Sequence, residues 1–213
     1  MVYHILNRAN ARLSIFHNKE DYRLFESILE EAQEKFNMRI LAYCIMPNHW
    51  HLVVYPKYDG ELAPFMQWIT LTHTQRHHAT HKTIGGGHLY QGRYKSFLVQ
   101  TDGYLQQLLR YVERNPVRAS LVIRAEDWQW SSVYRRERGT IQQQKLLTSW
   151  PITMPTDYLT WVNESLKEDE LTTLRYSTNK GKPYGRDDWV ATMIKKFKLD
   201  MTTRLVGRPK NGT

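Results

Sequence analysis

Met46-Pro47-Asn48-His49-Trp50-His51-Leu52-Val53-Val54-Tyr55 is the stretch on which the reading of this chain turns. Pro47-Asn48 is a tight turn between two apolar runs, Met38 to Met46 and His49 to Tyr55, so the runs pair as a hairpin with the histidines at its turn end. Strand side chains alternate faces with period two, which sends His49 and His51 to one face and Trp50 to the other. Two imidazoles on one face of a rigid strand suit manganese, zinc, iron or nickel better than magnesium, and leave positions open for a substrate oxygen. An ordinary edge strand with two solvent-facing polar residues has the same pattern, so the rest of the chain must decide between the two.

Working outward, Val2 to Asn7 mixes aromatic, β-branched and polar residues as a first strand does, ending at Arg8-Ala9-Asn10. From Lys19 the apolar residues Tyr22, Phe25, Ile28, Leu29 and Ala32 recur at helical spacing, with Glu26, Glu30, Glu31 and Glu34 opposite. Such an acidic helix should face away from any polyanion. After the hairpin, Ala63 to His81 is predicted helical, Gly85-Gly86-Gly87 a loop, and Arg93 to Val99 a fourth strand. Strand, helix, hairpin, helix, strand is the order of a ferredoxin-like α+β sandwich, an antiparallel sheet with helices on one face.

A further helix runs from Gly103 to Asn115, capped by Thr101 or Asp102 and stopped by Pro116. Leu105, Leu108, Leu109 and Val112 form its core stripe, and Tyr104, Tyr111 and Asn115 share one edge of that stripe. Val117 to Arg124 reads as a short basic helical stretch, followed by Trp128-Gln129-Trp130-Ser131-Ser132. Residues 1–140 are expected to form one domain. Residues 141–213 form a basic, mostly helical extension, entered through a polar linker at Thr140 to Lys145, with helices over Glu164 to Tyr176 and Asp187 to Phe197.

The chain carries a formal charge of +9 over 213 residues, and nucleic acid is the default partner of such an excess. The charge is placed suggestively: no acidic residue occurs between Glu61 and Asp102, where Arg76, Lys82, Arg93 and Lys95 alternate with five histidines and with Tyr90, Tyr94 and Phe97. Cations for a backbone and ring faces for bases are what a single-strand channel needs; a solvated positive face is the plainer account. Cys44 is the single cysteine, which rules out an internal disulfide and fits a reducing compartment. No apolar run approaches a membrane span and no signal core opens the chain, so a cytoplasmic protein without membrane or small-molecule partners is expected, as a monomer or homodimer.

A metal held by His49 and His51 could take the Asn115 amide oxygen as a third ligand and still admit a phosphate oxygen. Tyr111 stands one turn before Asn115 as a candidate nucleophile, with Tyr104 as its competitor. A phenol is a poor nucleophile at neutral pH until a cation favours its anion or the electrophile is activated, and metal coordination of a phosphate does the latter. His73, His77 and His81 share a helix face and could bind zinc, although without a nearby carboxylate or thiolate phosphate contacts or plain helix surface fit better. In the tail, Val206-Gly207-Arg208-Pro209-Lys210 has the Gly-Arg-Pro core of a minor-groove hook but lacks the arginine before it, so a weak DNA-backbone contact is expected.

Four motifs together resemble the REP-associated tyrosine transposases of the HUH single-tyrosine superfamily. They are Met46 to Leu52, Gly87-His88-Leu89-Tyr90-Gln91-Gly92-Arg93-Tyr94-Lys95-Ser96, Arg110-Tyr111-Val112-Glu113-Arg114-Asn115-Pro116-Val117-Arg118-Ala119, and Trp130-Ser131-Ser132, in the family's order and spacing over residues 1 to about 140. The resemblance implies a divalent metal, Mg2+ or Mn2+, on His49, His51 and Asn115, with Tyr111 as nucleophile. It implies cleavage of single-stranded DNA beside a hairpin of a repeated extragenic palindrome, leaving a 5′-phosphotyrosine and a free 3′-hydroxyl. DNA contacts are expected from Arg8, Asn10, Arg76, Arg93, Lys95, Arg114 and Arg118. The chain departs from the family in having Ala9 where Arg-Gly-Asn is common near the first strand, and Tyr90 and Tyr94 in place of bulkier aromatics. Two rival classes share the charge pattern: a hairpin-specific DNA-binding or regulatory protein without cleavage, and an RNA-binding module, the latter disfavoured by the absence of an RNP-type aromatic strand.

Overall fold

The computed structural model describes residues 1–203. The basic tail motif at Val206 to Lys210 lies outside the described residues. Four strands, β1 (Val2–Arg8), β2 (Arg39–Met46), β3 (His49–Tyr55) and β4 (Lys95–Val99), form one antiparallel sheet in the order β2-β3-β1-β4. This is the expected ferredoxin-like order. Met46 pairs with His49 across the two-residue Pro47-Asn48 turn, and Trp50 pairs with Ile45, so the hairpin register follows directly from the turn.

Helices α1 (Lys19–Phe36) and α2 (Leu62–His81) cover one face. Asn18 caps α1 by accepting from the Asp21 N–H, and Asn37 ends it in the left-handed conformation. Tyr22, Phe25, Ile28, Leu29 and Ala32 bury against Ile5, Trp50, Leu52 and Val54 of the sheet and Phe65 and Ile69 of α2. The acidic side of α1 is neutralised within the fold: Glu30 and Glu26 hold the buried Arg135 at 2.7 and 3.4 Å, and Glu31 takes Arg76.

The expectation that helices occupy one face is corrected. The opposite face of the sheet is also covered, by α3 (Gly103–Glu113), α5 (Ser132–Arg138), α7 (Tyr158–Asn163) and α8 (Glu168–Lys180). The physical reason is visible in β2, where Ile40 to Met46 are all buried: a strand hidden on both faces needs two layers. Between α3 and α5 lies α4 (Asn115–Arg118), and between α5 and α7 lies α6 (Ile141–Gln144); α9 (Asp187–Phe197) ends where periodicity placed it.

Several boundaries differ from the reading. The helix predicted to Asn115 stops at Glu113, Arg114 adopts φ −88°, ψ 2°, and Asn115 opens α4 with Pro116 in its first turn. The expected helical stretch to Arg124 ends at Arg118. Thr140 caps α6 in place of an extended linker, and the helix expected from Glu164 begins at Glu168, where Glu170 accepts from the Lys167 N–H.

Both sheet edges are closed by later parts of the chain. At β2, Ser132 Oγ accepts from the Tyr43 N–H, the Ile45 N–H donates to the Trp130 carbonyl, and Trp128 Nε1 donates to the Ile45 carbonyl. The register slips between Ile40 and Ala42, and the Leu41 carbonyl there accepts from Trp150 Nε1 at 3.0 Å. At β4, Tyr184 exchanges backbone hydrogen bonds with Leu98 and Gln100. Unpaired strand edges invite association with other strands, and here each is occupied. Trp150, Tyr158, Val162, Leu174 and Tyr184 share one apolar cluster with Val53, Phe97, Leu108 and Val112, so the packing does not stop at residue 140.

Candidate active site

β3 and α3 build the site from two sides. Period two on β3 aims His49 and His51 at the α3 face while Trp50 fills the other core. The His49 and His51 rings lie 5.1 Å apart, and the Tyr111 ring meets that of His51 edge-on at 6.0 Å. These three residues line one groove of about 520 Å³ with Asn7, Arg8, Met46, Gln91, Gly92, Arg93, Lys95, Asn115, Arg118, Arg175, Thr178 and Asn179.

The two histidines are neutral at physiological pH. Burial, helped by the Arg8 and Arg118 charges, pushes His49 down to about 4, and burial with His4 and His49 as neighbours holds His51 well below the ordinary imidazole range. Each has one nitrogen engaged: His49 Nδ1 meets Asn48 Oδ1 at 2.7 Å, and His51 Nδ1 meets Nε2 of His4 at 2.9 Å. Neutral imidazoles keep a lone pair for a metal, and the Asn115 amide adds an oxygen. Two nitrogens and one oxygen on a groove wall fit an ion such as Mn2+ with positions left for substrate, and fit the all-oxygen preference of Mg2+ less well. Among the described residues, no group of three or more His, Cys, Asp and Glu is arranged to hold an ion, so the amide and a substrate oxygen would have to complete the set.

Asn115 is not open in this arrangement. Its Oδ1 accepts from Arg118 Nη2, and its Nδ2 donates to the Tyr111 carbonyl at 3.3 Å. The same Arg118 guanidinium lies over the Tyr111 ring, 4.3 Å from its centroid. A cation therefore already lies against both the amide oxygen and the face of the Tyr111 ring.

The remaining expected contacts divide by position. Arg8, Arg93, Lys95 and Arg118 line the groove. Asn10 sits in the exposed turn after β1, and Arg114 is half-buried beside Tyr111 with Nε donating to the Asn163 carbonyl. Arg76 lies on α2 across the sheet, in a bidentate pair with Glu31 at 2.6 and 2.7 Å. The acid-free stretch is thus split between two faces, and only its Gln91 to Lys95 portion reaches the groove. Tyr104 packs edge-on against Tyr184 at 5.1 Å and is not among the groove residues. His73 is buried among Phe16, Phe25 and Tyr90, and His81 pairs with Asp21 at 2.7 Å, so α2 presents packed rings where a zinc set was considered. Ala9 has φ −59°, an ordinary value, so alanine there costs no backbone strain.

Sequence reasoning missed His4, Asn48, Arg175, Thr178 and Asn179. His4 was legible only through strand pairing: it alternates onto the His51 face of the neighbouring strand. The α8 residues carried no signal in the sequence, because nothing there placed α8 against β4.

Residues 1–115 match the sequence model of the family described as "Transposase IS200 like". A Haemophilus influenzae protein named as a REP-associated tyrosine transposase is 25% identical over 125 residues, 55% of this chain and 71% of that protein. A solved structure described as a REP-associated tyrosine transposase bound to a REP hairpin superposes with a TM-score of 0.54 over 65% of this chain and 79% of its own, at 19% identity, which is a likeness of fold. Among the described residues no helix is long and apolar enough to cross a membrane.

Proposed function

The chain belongs to the IS200-like transposase family, and on that premise we propose that it is a metal-dependent, cytoplasmic single-strand DNA endonuclease and strand transferase acting at REP-type hairpins through a 5′-phosphotyrosine. The observation that carries this reading is the convergence of His49, His51, Tyr111 and Asn115 on one groove walled by Arg8, Arg93, Lys95 and Arg118. The similar fold of a hairpin-bound relative supports the choice of DNA.

Arg8, Arg93 and Lys95 bind the strand through its phosphates, which fixes position without reading sequence. Tyr111 is held on a helix, so its phenol oxygen meets the scissile phosphorus with much of the orientational entropy already spent. The phenol oxygen–phosphorus bond forms as the phosphorus–O3′ bond breaks; the phenol proton is lost to solvent and the departing 3′ oxygen takes one up. His49, His51 and the Asn115 amide would hold the divalent ion, which when bound supplies neutralisation of charge on the non-bridging phosphate oxygens. Arg118, which lines the groove over the Tyr111 ring, would stabilise the same developing charge on the phosphate oxygens.

One observation favours a second reading, hairpin binding without cleavage: Arg118 already occupies the Asn115 oxygen. The experiment that separates them is denaturing electrophoresis of the protein incubated with end-labelled single-stranded hairpin DNA and Mn2+ or Mg2+. A slow-migrating covalent species is expected from the unmodified protein and from Tyr104→Phe, and none from Tyr111→Phe, which should still bind the hairpin. An adduct from Tyr111→Phe, or none from the unmodified protein with any metal and hairpin, would overturn the reading.

A further inference from the structure

We infer that His4 and Asn48 are positioning residues that set the proton of each metal-facing histidine on Nδ1 and so leave both Nε2 lone pairs for an ion. This rests on the proposed metal role of His49 and His51 and assigns work to two residues outside that set.

The argument begins with Asn48. Its Nδ2 donates to the Arg12 carbonyl at 3.1 Å, which fixes the orientation of the amide and turns Oδ1 toward His49 Nδ1, 2.7 Å away. An amide oxygen only accepts, so His49 Nδ1 carries the proton and Nε2 carries the lone pair. Arg12 itself sits at φ 59° in the turn after β1, so the turn that carries Arg8-Ala9-Asn10 is what anchors this amide.

His51 receives the same treatment from a different residue. His4 lies on β1, which pairs with β3, and both rings are buried, stacked with centroids 5.1 Å apart. One proton is shared between His4 Nε2 and His51 Nδ1 at 2.9 Å. If His4 donates, neutral His51 must carry its own proton on Nε2 and cannot ligate; if His51 donates, its Nε2 is free. Metal binding is therefore compatible with one of the two arrangements only. Phe97 lies against the other side of the His4 ring, 4.8 Å between centroids, and holds the imidazole in register. Among the described residues no hydrogen bond reaches Nε2 of His49 or of His51. Partners on the remote nitrogen of a metal-binding histidine fix its tautomer and its ring orientation, and their loss weakens metal affinity by about 10–100-fold.

Two readouts on the full chain test this. Long-range proton–nitrogen NMR of the metal-free protein reports the tautomer of each ring, and calorimetric titration with Mn2+ alone, without DNA, reports affinity. The unmodified protein should show both rings protonated on Nδ1. His4→Phe keeps an aromatic ring against Phe97 but offers no acceptor, and should release the His51 tautomer and weaken Mn2+ binding by about 10–100-fold; His4→Gln, whose amide oxygen can accept from Nδ1, should recover most of the loss. Asn48→Ala should release His49 in the same way, and because Asn48 lies in a turn this variant stands even where a His4 variant fails to fold. An unmodified protein with either ring protonated on Nε2, or variants that bind Mn2+ as tightly as the original with unchanged tautomers, would overturn the inference. Failure of the metal reading looks different: no Mn2+ binding by an unmodified protein whose rings are both protonated on Nδ1 leaves the positioning roles intact and removes the ion.

Discussion

The Arg118 guanidinium stands 4.3 Å over the ring of Tyr111 while donating to the oxygen of Asn115. One cation thus touches both the proposed nucleophile and a proposed ligand, and it competes with an ion for the amide. Arg118→Ala should therefore tighten Mn2+ binding by about fivefold or more, since a unit charge a few ångströms away costs at least about 1 kcal/mol per unit charge on the ion. The same change should weaken hairpin binding and reduce its salt slope by about one unit. Calorimetry and DNA binding at several salt concentrations check the two halves separately. Unchanged Mn2+ affinity would show that Asn115 is no part of the ion's site.

Arg93 and Arg76 come from the same acid-free stretch and face opposite ways. Arg93 lines the groove, whereas Arg76 pairs with Glu31 on α2. Arg93→Ala should lower DNA affinity and flatten its dependence on salt by about one unit per lost phosphate contact. Arg76→Ala should leave that slope unchanged and cost at most about 1 kcal/mol of stability, because its ion pair is well exposed. Equal slope changes for both substitutions would place DNA on both faces of the sheet.

That contrast marks where the sequence stops being readable. Strand periodicity put His49 and His51 on one face, and the two-residue turn fixed their register, because both are local rules of one backbone. The Arg76 and Arg93 assignments depended on charge alone, which has no direction; the same absence of carboxylates describes a DNA wall and a helix whose partner is Glu31, 45 residues earlier in the chain. The second helical layer was legible in principle from β2, whose unbroken apolar run from Ile40 to Met46 cannot belong to a sheet with one bare face. Its identity was not, since Trp150, Tyr158 and Tyr184 reach the sheet by long-range packing. His4 lay between these cases, recognisable only once β1 had been paired with β3.

Trp150 measures how firmly the later chain is tied to the sheet. It is buried, donates to the Leu41 carbonyl at the bulge, and packs against Tyr158 with ring centroids 5.8 Å apart. Trp150→Ala removes a large apolar group and leaves that carbonyl without its indole donor, so a loss of about 3–5 kcal/mol is expected. Trp150→Phe should lose less, because it keeps the ring and forfeits only the hydrogen bond and part of the area. Urea unfolding of the two variants gives the comparison. A loss below 1 kcal/mol for Trp150→Ala would mean that residues after 140 contribute little to the stability of the sheet.

The last prediction follows the chain Trp50, Tyr90, His73 through the other core. Trp50 Nε1 donates to the Tyr90 hydroxyl at 2.9 Å, and that hydroxyl lies 2.5 Å from His73 Nδ1. With its oxygen accepting from the indole, Tyr90 donates its proton to Nδ1, which makes His73 an acceptor there and opposes a second ring proton. Burial first, and then the neighbouring His77, push His73 down to about 3. The sign follows from which state binds the proton. Above about pH 6.5 the ring is neutral folded and unfolded, and acid costs nothing; between about 6.5 and 3 the unfolded chain takes up a proton that the folded chain refuses, so stability falls as pH falls. His73→Asn keeps an acceptor near the Tyr90 hydroxyl but removes the titrating group. It should lower stability at pH 7 and make its decline between pH 6 and pH 4 shallower by about 1.4 kcal/mol per pH unit. Urea unfolding at pH 6, 5 and 4 measures both slopes. Parallel slopes in the two proteins would show that the folded state protonates His73 as readily as the unfolded chain does, against the effect of its burial.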